Sequence, residues 1–271
     1  ADLDRDGAPE FYVAHLAYAR HLLRLTRGTD GAWQRRPAHP GTDAAGSDIM
    51  SVEAGDLDGD GAPELVVAVG AWNAYDVRVL RADDRGELQL VARKTLGYVS
   101  QLALPRVAGG RRLIAALKRD EYPSERRFGP EAPLGEPAGV YVLELAGGAL
   151  AVRQFFPARD GDGPPHDYDW LRAGDLDGDA RDDLVVEDGS GFALVRGDGD
   201  GFLAPLHVAD GRPLLAADLD DDPAAELLIG RVDDPANLLA LGVGDAPTPA
   251  LPRPALAAMP RVIAVYERVL E

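Results

Sequence analysis

The densest chemistry in the chain sits in twelve residues, Asp56-Leu57-Asp58-Gly59-Asp60-Gly61-Ala62-Pro63-Glu64-Leu65-Val66-Val67. Carboxylates stand at positions 1, 3, 5 and 9 of this run, and a short apolar stretch follows at once. Oxygen donors at alternate positions of a tight loop suit a hard cation. Ca²⁺ takes six to eight oxygens at about 2.3–2.6 Å. Glycines among the acids let the backbone curl around one point through positive φ. The carbonyl of Ala62, at position 7, is free to add a further oxygen. The first half of an EF-hand looks the same, but an EF-hand needs a bidentate Glu at position 12 and flanking helices. Position 12 here is Val67, inside a β-branched run with the length of a buried strand. The pattern therefore reads as a calcium loop that feeds a β-strand.

The pattern recurs. Asp2, Asp4, Asp6 and Glu10, with Ala8 at position 7, precede Phe11-Tyr12-Val13. Asp175, Asp177, Asp179 and Asp183, with Arg181 at position 7, precede Leu184-Val185-Val186. Asp218, Asp220, Asp222 and Glu226, with Ala224 at position 7, precede Leu227-Leu228-Ile229. A degenerate copy fits Leu104 to Leu117, with Arg111-Arg112-Leu113-Ile114-Ala115 in place of Pro63 to Val67. It has no carboxylates, and Arg106 replaces the second Asp. That copy keeps the strand and has lost the metal.

These residues resemble the FG-GAP and VCBS family of repeats, whose pattern is Asp-hydrophobic-Asp-x-Asp-Gly-x-x-Asp/Glu-hydrophobic. The resemblance covers the whole chain at the level of repeats and is specific at the loops. It implies an integrin-alpha-type β-propeller with calcium-bearing blades. Ala180 and Pro223 depart from the pattern at position 6, where glycine is usual, and proline cannot take positive φ.

Around the loops the chain reads as all-β. Each unit is strand, calcium loop, strand, turn, strand, turn, strand, which is the grammar of a four-stranded propeller blade. Phe11 to Tyr18, Arg20 to Thr26 and Ala32 to Arg35 are strands of the first unit. The second has Ile49 to Ala54, Leu65 to Val69, Asp76 to Arg81 and Leu88 to Thr95. The third has Ser100 to Leu104, Leu113 to Lys118, Val140 to Leu145 and Leu150 to Phe156, interrupted by a long insertion from Arg119 to Ala138. The fourth has Trp170 to Ala173, Leu184 to Glu187, Phe192 to Arg196 and Phe202 to Val208. The fifth has Leu214 to Ala217, Leu227 to Ile229 and Leu238 to Val243. Motif starts near 2, 56, 104, 175 and 218 are spaced 54, 48, 71 and 43 apart, and the step around the ends is 55. The first unit lacks the strand before its loop, and residues 260–271 supply one. The expectation is a single domain over 1–271, a five-bladed propeller closed by pairing of its termini, which removes exposed sheet edges. The competing expectation is a window from a propeller of six or seven blades.

Composition limits the function. The net charge is −18, and the ligand positions of the four intact loops account for sixteen of the 46 acidic residues. Four divalent ions would bring the balance to −10, which still argues against nucleic acid, whose binding needs a basic footprint. There is no cysteine, so thiol catalysis and disulfides are absent. No apolar run approaches the 18 or so residues of a membrane span. The chain opens at Ala1 inside a motif, and the expectation is a mature product or an excised piece whose export signal preceded it. Low-affinity calcium modules work where calcium is plentiful, so the expected location is extracellular, cell-surface or periplasmic.

No catalytic signature appears: no Gly-x-Ser-x-Gly, no His-Glu-x-x-His, no phosphate loop. The five histidines lack zinc-ligand spacing. With structural calcium on one face, loops on the opposite face are where a ligand is expected. Trp72, Tyr75, Tyr122, Arg126, Arg127, His166, Tyr168 and Trp170 would give that face aromatics among charges. The reading is a calcium-stabilised binding module for a protein or glycan, carrying three to four structural Ca²⁺. A polysaccharide lyase or hydrolase on a calcium-bearing propeller is the alternative, and a purely structural segment of a larger surface protein is a third.

Overall fold

The computed structural model describes residues 2–5, 7–14, 22–28, 30–38, 48–70, 75–83, 85–119, 136–158, 168–188, 191–209, 212–217, 224–230 and 238–241. Among them there is no α-helix; strands are joined by turns, with one 3₁₀ turn at Ala108–Gly110. Every pairing is antiparallel, and within each sheet the strands follow chain order. The first sheet is β1 (Phe11–Ala14), β2 (Leu22–Arg27) and β3 (Trp33–Pro37). The second is β4 (Asp48–Gly55), β5 (Glu64–Gly70), β6 (Asp76–Ala82) and β7 (Leu88–Thr95). The third is β8 (Val99–Ala103), β9 (Ile114–Lys118), β10 (Gly139–Ala146) and β11 (Ala149–Pro157). The fourth is β12 (Trp170–Gly174), β13 (Asp183–Glu187), β14 (Gly191–Val195) and, after a small hairpin of β15 (Gly197–Asp198) and β16 (Gly201–Phe202), β17 (Leu206–Ala209). The fifth is β18 (Arg212–Ala217), β19 (Glu226–Gly230) and β20 (Leu238–Leu241).

The apolar runs after the loops explain this layering. A strand presents alternate residues to opposite faces, and β5 is buried along its whole length. Its Leu65, Val67 and Val69 join Leu3 and Leu22 of the first sheet, while Val66 and Ala68 join Leu102, Ile114 and Leu143 of the third. In β9, Ile114 and Ala116 face the second sheet, and Ala115 and Leu117 pack with Leu184 and Val186 of β13. On β13, Val185 turns the other way, towards Leu227 and Ile229 of β19. Each middle strand thus feeds two cores at once, and successive sheets stack face to face.

Strands before the loops, β4, β8 and β12, lie side by side. Leu102 N donates to Ser51 Oγ at 3.0 Å, and Leu171 N donates to Gln101 Oε1 at 2.9 Å. Burial raises the carboxyl pKa of Glu53 on β4, and the charge of Arg172 on β12, acting across the intervening β8, opposes that rise. The sheets therefore curve around a common concave side.

One sequence expectation needs adjustment. The outer strand of the fourth unit begins at Leu206, not Phe202, because residues 197–202 form the extra hairpin instead. That hairpin docks on the third sheet, where the Gln154 amide accepts from Phe202 N at 2.9 Å and donates to Phe202 O at 2.8 Å. In the first unit β1 covers Phe11–Ala14 of the run predicted from Phe11 to Tyr18, and residues 15–21 lie outside the described residues. The 119–138 insertion, the fourth calcium loop and the closing segment 260–271 fall wholly or mostly outside them as well.

Candidate metal centre

The three described loops share one backbone shape. Positions 4 and 6 take positive φ in each: Arg5 and Gly7 at 58° and 87°, Gly59 and Gly61 at 79° and 83°, Gly178 and Ala180 at 76° and 67°. The curl turns backbone N–H groups onto the position-1 carboxylate. Asp56 accepts from Gly59 N (2.7 Å) and Gly61 N (2.8 Å). Asp175 accepts from Gly178 N (2.8 Å), Asp179 N (3.1 Å) and Ala180 N (2.8 Å), and Asp2 accepts from Gly7 N (3.1 Å). Ala180, the departure from the family pattern, adopts the glycine conformation despite its methyl.

Positions 2 and 9 tie the loop to the body of the sheet. Leu3, Leu57 and Leu176 are buried in cores between sheets. Their backbone N–H groups meet the position-9 carboxylates: Leu3 N to Glu10 at 2.8 Å, Leu57 N to Glu64 at 2.9 Å, and Leu176 N to Asp183. Burial raises the Glu10 carboxyl, an effect that the Leu3 N–H opposes. Asp183 is pushed up to about 6, chiefly by burial, with the nearby charge of Asp177 adding to it and the Gly197 and Leu176 N–H groups opposing.

The carboxylates converge. Oxygens of Asp2, Asp4 and Glu10 lie within 4.8 Å of one another, as do those of Asp56, Asp58 and Glu64, and those of Asp175, Asp177 and Asp179. The membership differs from the sequence expectation at two places. Asp60, at position 5, stands outside its group and pairs with Arg5 at 3.4 Å and Arg81 at 3.7 Å. Asp183, at position 9, is a methylene shorter than Glu64 and stands outside the third group. Asp6, Asp218, Asp220 and Asp222 lie outside the described residues, so the fourth loop shows only Ala224 and Glu226.

An arginine on, or just past, the strand after next reaches into each group. Arg81 donates to Asp58 at 2.6 Å and through Nε to Glu64 at 3.0 Å, and this contact holds the Asp58 carboxyl below its usual range. Arg24 pairs with Asp4 and Glu10, and Arg196 with Asp177. Even so, Asp2 Oδ1, Asp4 Oδ1, Asp177 Oδ1 and Asp183 Oδ2 are buried with no hydrogen-bond partner. A bare carboxylate oxygen withdrawn from water is costly unless a proton or cation meets it. An all-oxygen donor set with bare buried oxygens fits a hard divalent cation.

At the degenerate copy a short turn replaces the loop, with Arg106 and Arg112 bridged across it. Arg106 is turned towards the fourth sheet. Its guanidinium donates twice to Asp182 Oδ1 (2.8 and 3.0 Å), its backbone N donates to Asp182 Oδ2 (2.8 Å), and its carbonyl accepts from Asp182 N (2.9 Å). The sequence showed the lost carboxylates but gave no sign of this clasp, since its partner is 76 residues away.

Of the aromatic candidates for the opposite face, Tyr75 and Tyr168 are a correction. Both are buried, at 5% and 4% exposure, and Tyr168 belongs to the core between the third and fourth sheets. The backbone explains Tyr75: its carbonyl accepts from Leu96 N and Gly97 N, both at 3.1 Å, which pins it inside the sheet end. Trp170 is half-buried, with the Arg172 guanidinium 4.6 Å from its ring centre. Trp72, Tyr122, Arg126, Arg127 and His166 lie outside the described residues.

The described sheets and loops define a β-propeller-like, all-β protein with repeated acidic loops. Residues 2–67 carry an FG-GAP-like repeat, matching the model of that family. No curated protein matches the chain in sequence. Among solved structures, a protein from Lactobacillus plantarum superposes with a TM-score of 0.55 at 15% identity, covering 88% of this chain and 67% of its own. A lectin from Agrocybe aegerita, described as specifically recognising non-reducing terminal N-acetylglucosamine, superposes with a TM-score of 0.58 at 16% identity, covering 93% of this chain and 64% of its own. At such identities the likeness is one of fold, and the chain spans about two thirds of the length of each structure.

The backbone of the third loop yields a test. A non-glycine residue at positive φ costs about 1–2 kcal/mol, whereas glycine loses about 0.5–1 kcal/mol in chain entropy. Ala180→Gly is therefore expected to stabilise the protein by about 0.5–1 kcal/mol, raising the melting temperature by roughly 1–3 °C. A lower melting temperature would show that Ala180 is not held at positive φ.

Proposed function

We propose that the chain is a calcium-stabilised β-propeller binding module that works outside the cytoplasm and takes a glycan or protein ligand. The observation that carries the metal is the bare, buried carboxylate oxygen at Asp2, Asp4, Asp177 and Asp183. Asp2, Asp4 and Glu10 would hold one ion, Asp56, Asp58 and Glu64 a second, and Asp175, Asp177 and Asp179 a third. By its sequence pattern the loop of Asp218, Asp220, Asp222 and Glu226 would hold a fourth. When bound, the ion supplies positive charge that relieves repulsion among clustered acids. The chain's own groups do the rest: the positive-φ pairs shape the loop, and the Leu-to-carboxylate bonds fasten it to the sheets.

The ligand reading is supported by the FG-GAP-like repeat and by the fold shared with a lectin. Trp170, with Trp72, Tyr122, Arg126, Arg127 and His166 from the sequence pattern, would belong to the ligand face opposite the metal loops. Calcium chemistry of modest affinity favours a calcium-rich compartment.

The same reading takes 1–271 as one propeller of five blades. Its support is a gap in the first sheet. The second to fifth sheets have a strand before the loop, namely β4, β8, β12 and β18, but β1 stands at the sheet edge with none beside it among the described residues. Phe11, Val13 and Trp33 are also exposed on the face turned away from the second sheet. In a closed ring, residues 260–271 would pair with β1 and the fifth blade would cover those side chains.

Four outcomes are expected. Chelation should lower the melting temperature and millimolar Ca²⁺ should restore it by mass action, with about 4 kcal/mol per site at a thousandfold excess over Kd. Isothermal titration should count three or four ions and lose one in Asp58→Ala; an unchanged melting curve would remove the metal. A glycan array that includes terminal N-acetylglucosamine should give calcium-dependent binding, and an array blank in both conditions would remove the glycan reading. Deleting residues 260–271 should cost several kcal/mol at about 25 cal/mol per Å² of apolar area lost and yield aggregating protein, as an unpaired edge does. A deletion variant that stays monomeric and melts like the parent would point to a larger ring.

A further inference from the structure

We propose that the concave side of β4, β8 and β12 holds a small polyhydroxylated monocarboxylate, of the sugar-acid class, between Glu53, Arg112 and Arg172. Three inner elements bring these groups to one place. Glu53 stands on β4 and Arg172 on β12, with β8 between them, and both are exposed. Arg112 precedes β9 and crosses to β4, where its stem lies against Gly55; a methyl added to that glycine would meet Arg112 Cδ at 2.7 Å. Gly55 is the residue that lets the arginine pass.

Both guanidiniums are held at one end and open at the other. Arg172 Nη1 donates to the Leu171 carbonyl at 2.7 Å and to Gln101 Oε1 at 3.1 Å, and its guanidinium carbon lies 4.6 Å from the Trp170 ring centre. Gln101 is itself fixed, accepting from Leu171 N at 2.9 Å and donating to the Asp169 carbonyl at 3.1 Å. Arg112 Nη1 donates to the Leu104 carbonyl at 2.6 Å. The remaining N–H groups of the two arginines meet no acceptor among the described residues. Glu53 has neither a hydrogen bond nor an ion pair within 4.0 Å among them, although both arginines act on its charge from further off. Protein surrounds the exposed Glu53 closely enough that burial raises its carboxyl, and the same confinement lowers Arg172.

The arrangement selects the ligand chemistry. Two guanidiniums against one carboxylate leave one positive charge, on a chain whose net charge is −18. An anion is therefore the fitting guest, and a carboxylate matches the fork of an arginine. Glu53 needs donors beside that anion, which hydroxyl groups supply. A phosphate dianion offers a single P–OH donor and brings a second negative charge that Glu53 would repel. The site uses none of the metal loops and shares only Trp170 with the proposed glycan face, so a failure of glucuronate binding would leave both of those readings standing.

The test uses the full chain with D-glucuronate, D-glucose and inorganic phosphate as probes, followed by isothermal titration and ligand-observed NMR. Glucuronate should bind, with glucose and phosphate weaker. Arg172→Gln and Arg112→Gln should each weaken glucuronate roughly tenfold or more, the weight of a charge-assisted hydrogen bond. Glu53→Gln should weaken glucuronate and strengthen phosphate, a reversal that general loss of structure would not produce. Arg172→Lys keeps the charge without the fork and should also bind more weakly, and melting curves of each variant check its fold. No glucuronate binding at tens of millimolar, phosphate binding as well as glucuronate, or full affinity in a folded Arg172→Gln would each overturn the site.

Discussion

The structure depends on a short two-ended link repeated from sheet to sheet. A leucine at the second position of the acidic loop plugs into the core between two sheets, while its backbone N–H donates to the buried carboxylate at the ninth position. Leu57 with Glu64 and Leu3 with Glu10 show it in full, and Leu176 with Asp183 repeats it. A carboxylate removed from water is tolerable only where hydrogen bonds or cations replace the lost hydration. Here one of its partners is a backbone group that the leucine side chain holds in place. Apolar packing and the polar loop thus fix each other, and neither keeps its geometry alone.

That coupling explains why the loops can be so acidic. Within each group a shared point attracts positive charge, and the protein supplies part of it through Arg24, Arg81 and Arg196. The degenerate copy carries the same logic to its end. There the loop acids are gone, and the fixed cation of Arg106 meets the acid of the neighbouring sheet, Asp182, in a fork closed by backbone hydrogen bonds. Removing either partner would leave a mostly buried Asp182 or an unanswered guanidinium. One junction is thus fastened by a side chain at the position where other junctions have an acidic loop.

The sheets themselves follow from strands buried on both faces. Val66 and Val67 of β5 are each fully buried, yet they belong to different cores. A strand of this kind cannot sit at the surface of a two-layer fold without exposing one of its two apolar rows. Stacking sheet after sheet is the arrangement that satisfies both rows. It also turns the inner strands towards a common side, where polar residues such as Glu53, Gln101 and Arg172 collect.

What the sequence alone determined is local. Ligand spacing, the apolar run after each loop and the glycine-rich turns gave the strands β4 to β14 to within about two residues at most ends, because each depends on neighbours a few positions away. The same pattern marked Asp2, Asp4, Glu10, Asp56, Asp58, Glu64, Asp175, Asp177 and Asp179 as a set of oxygen donors. Tertiary structure decided everything that needed a distant partner. It buried Tyr75 and Tyr168, which their loop positions had suggested for an open face. It set Asp183 apart from its group through one missing methylene, gave Arg106 to Asp182, and brought Glu53, Arg112 and Arg172 to one concave side. Spacing along a chain reports which side of its own strand a residue occupies. Which sheet then meets that side is fixed only when apolar rows far apart in sequence pack together, and the charges carried with them acquire their neighbours at that moment.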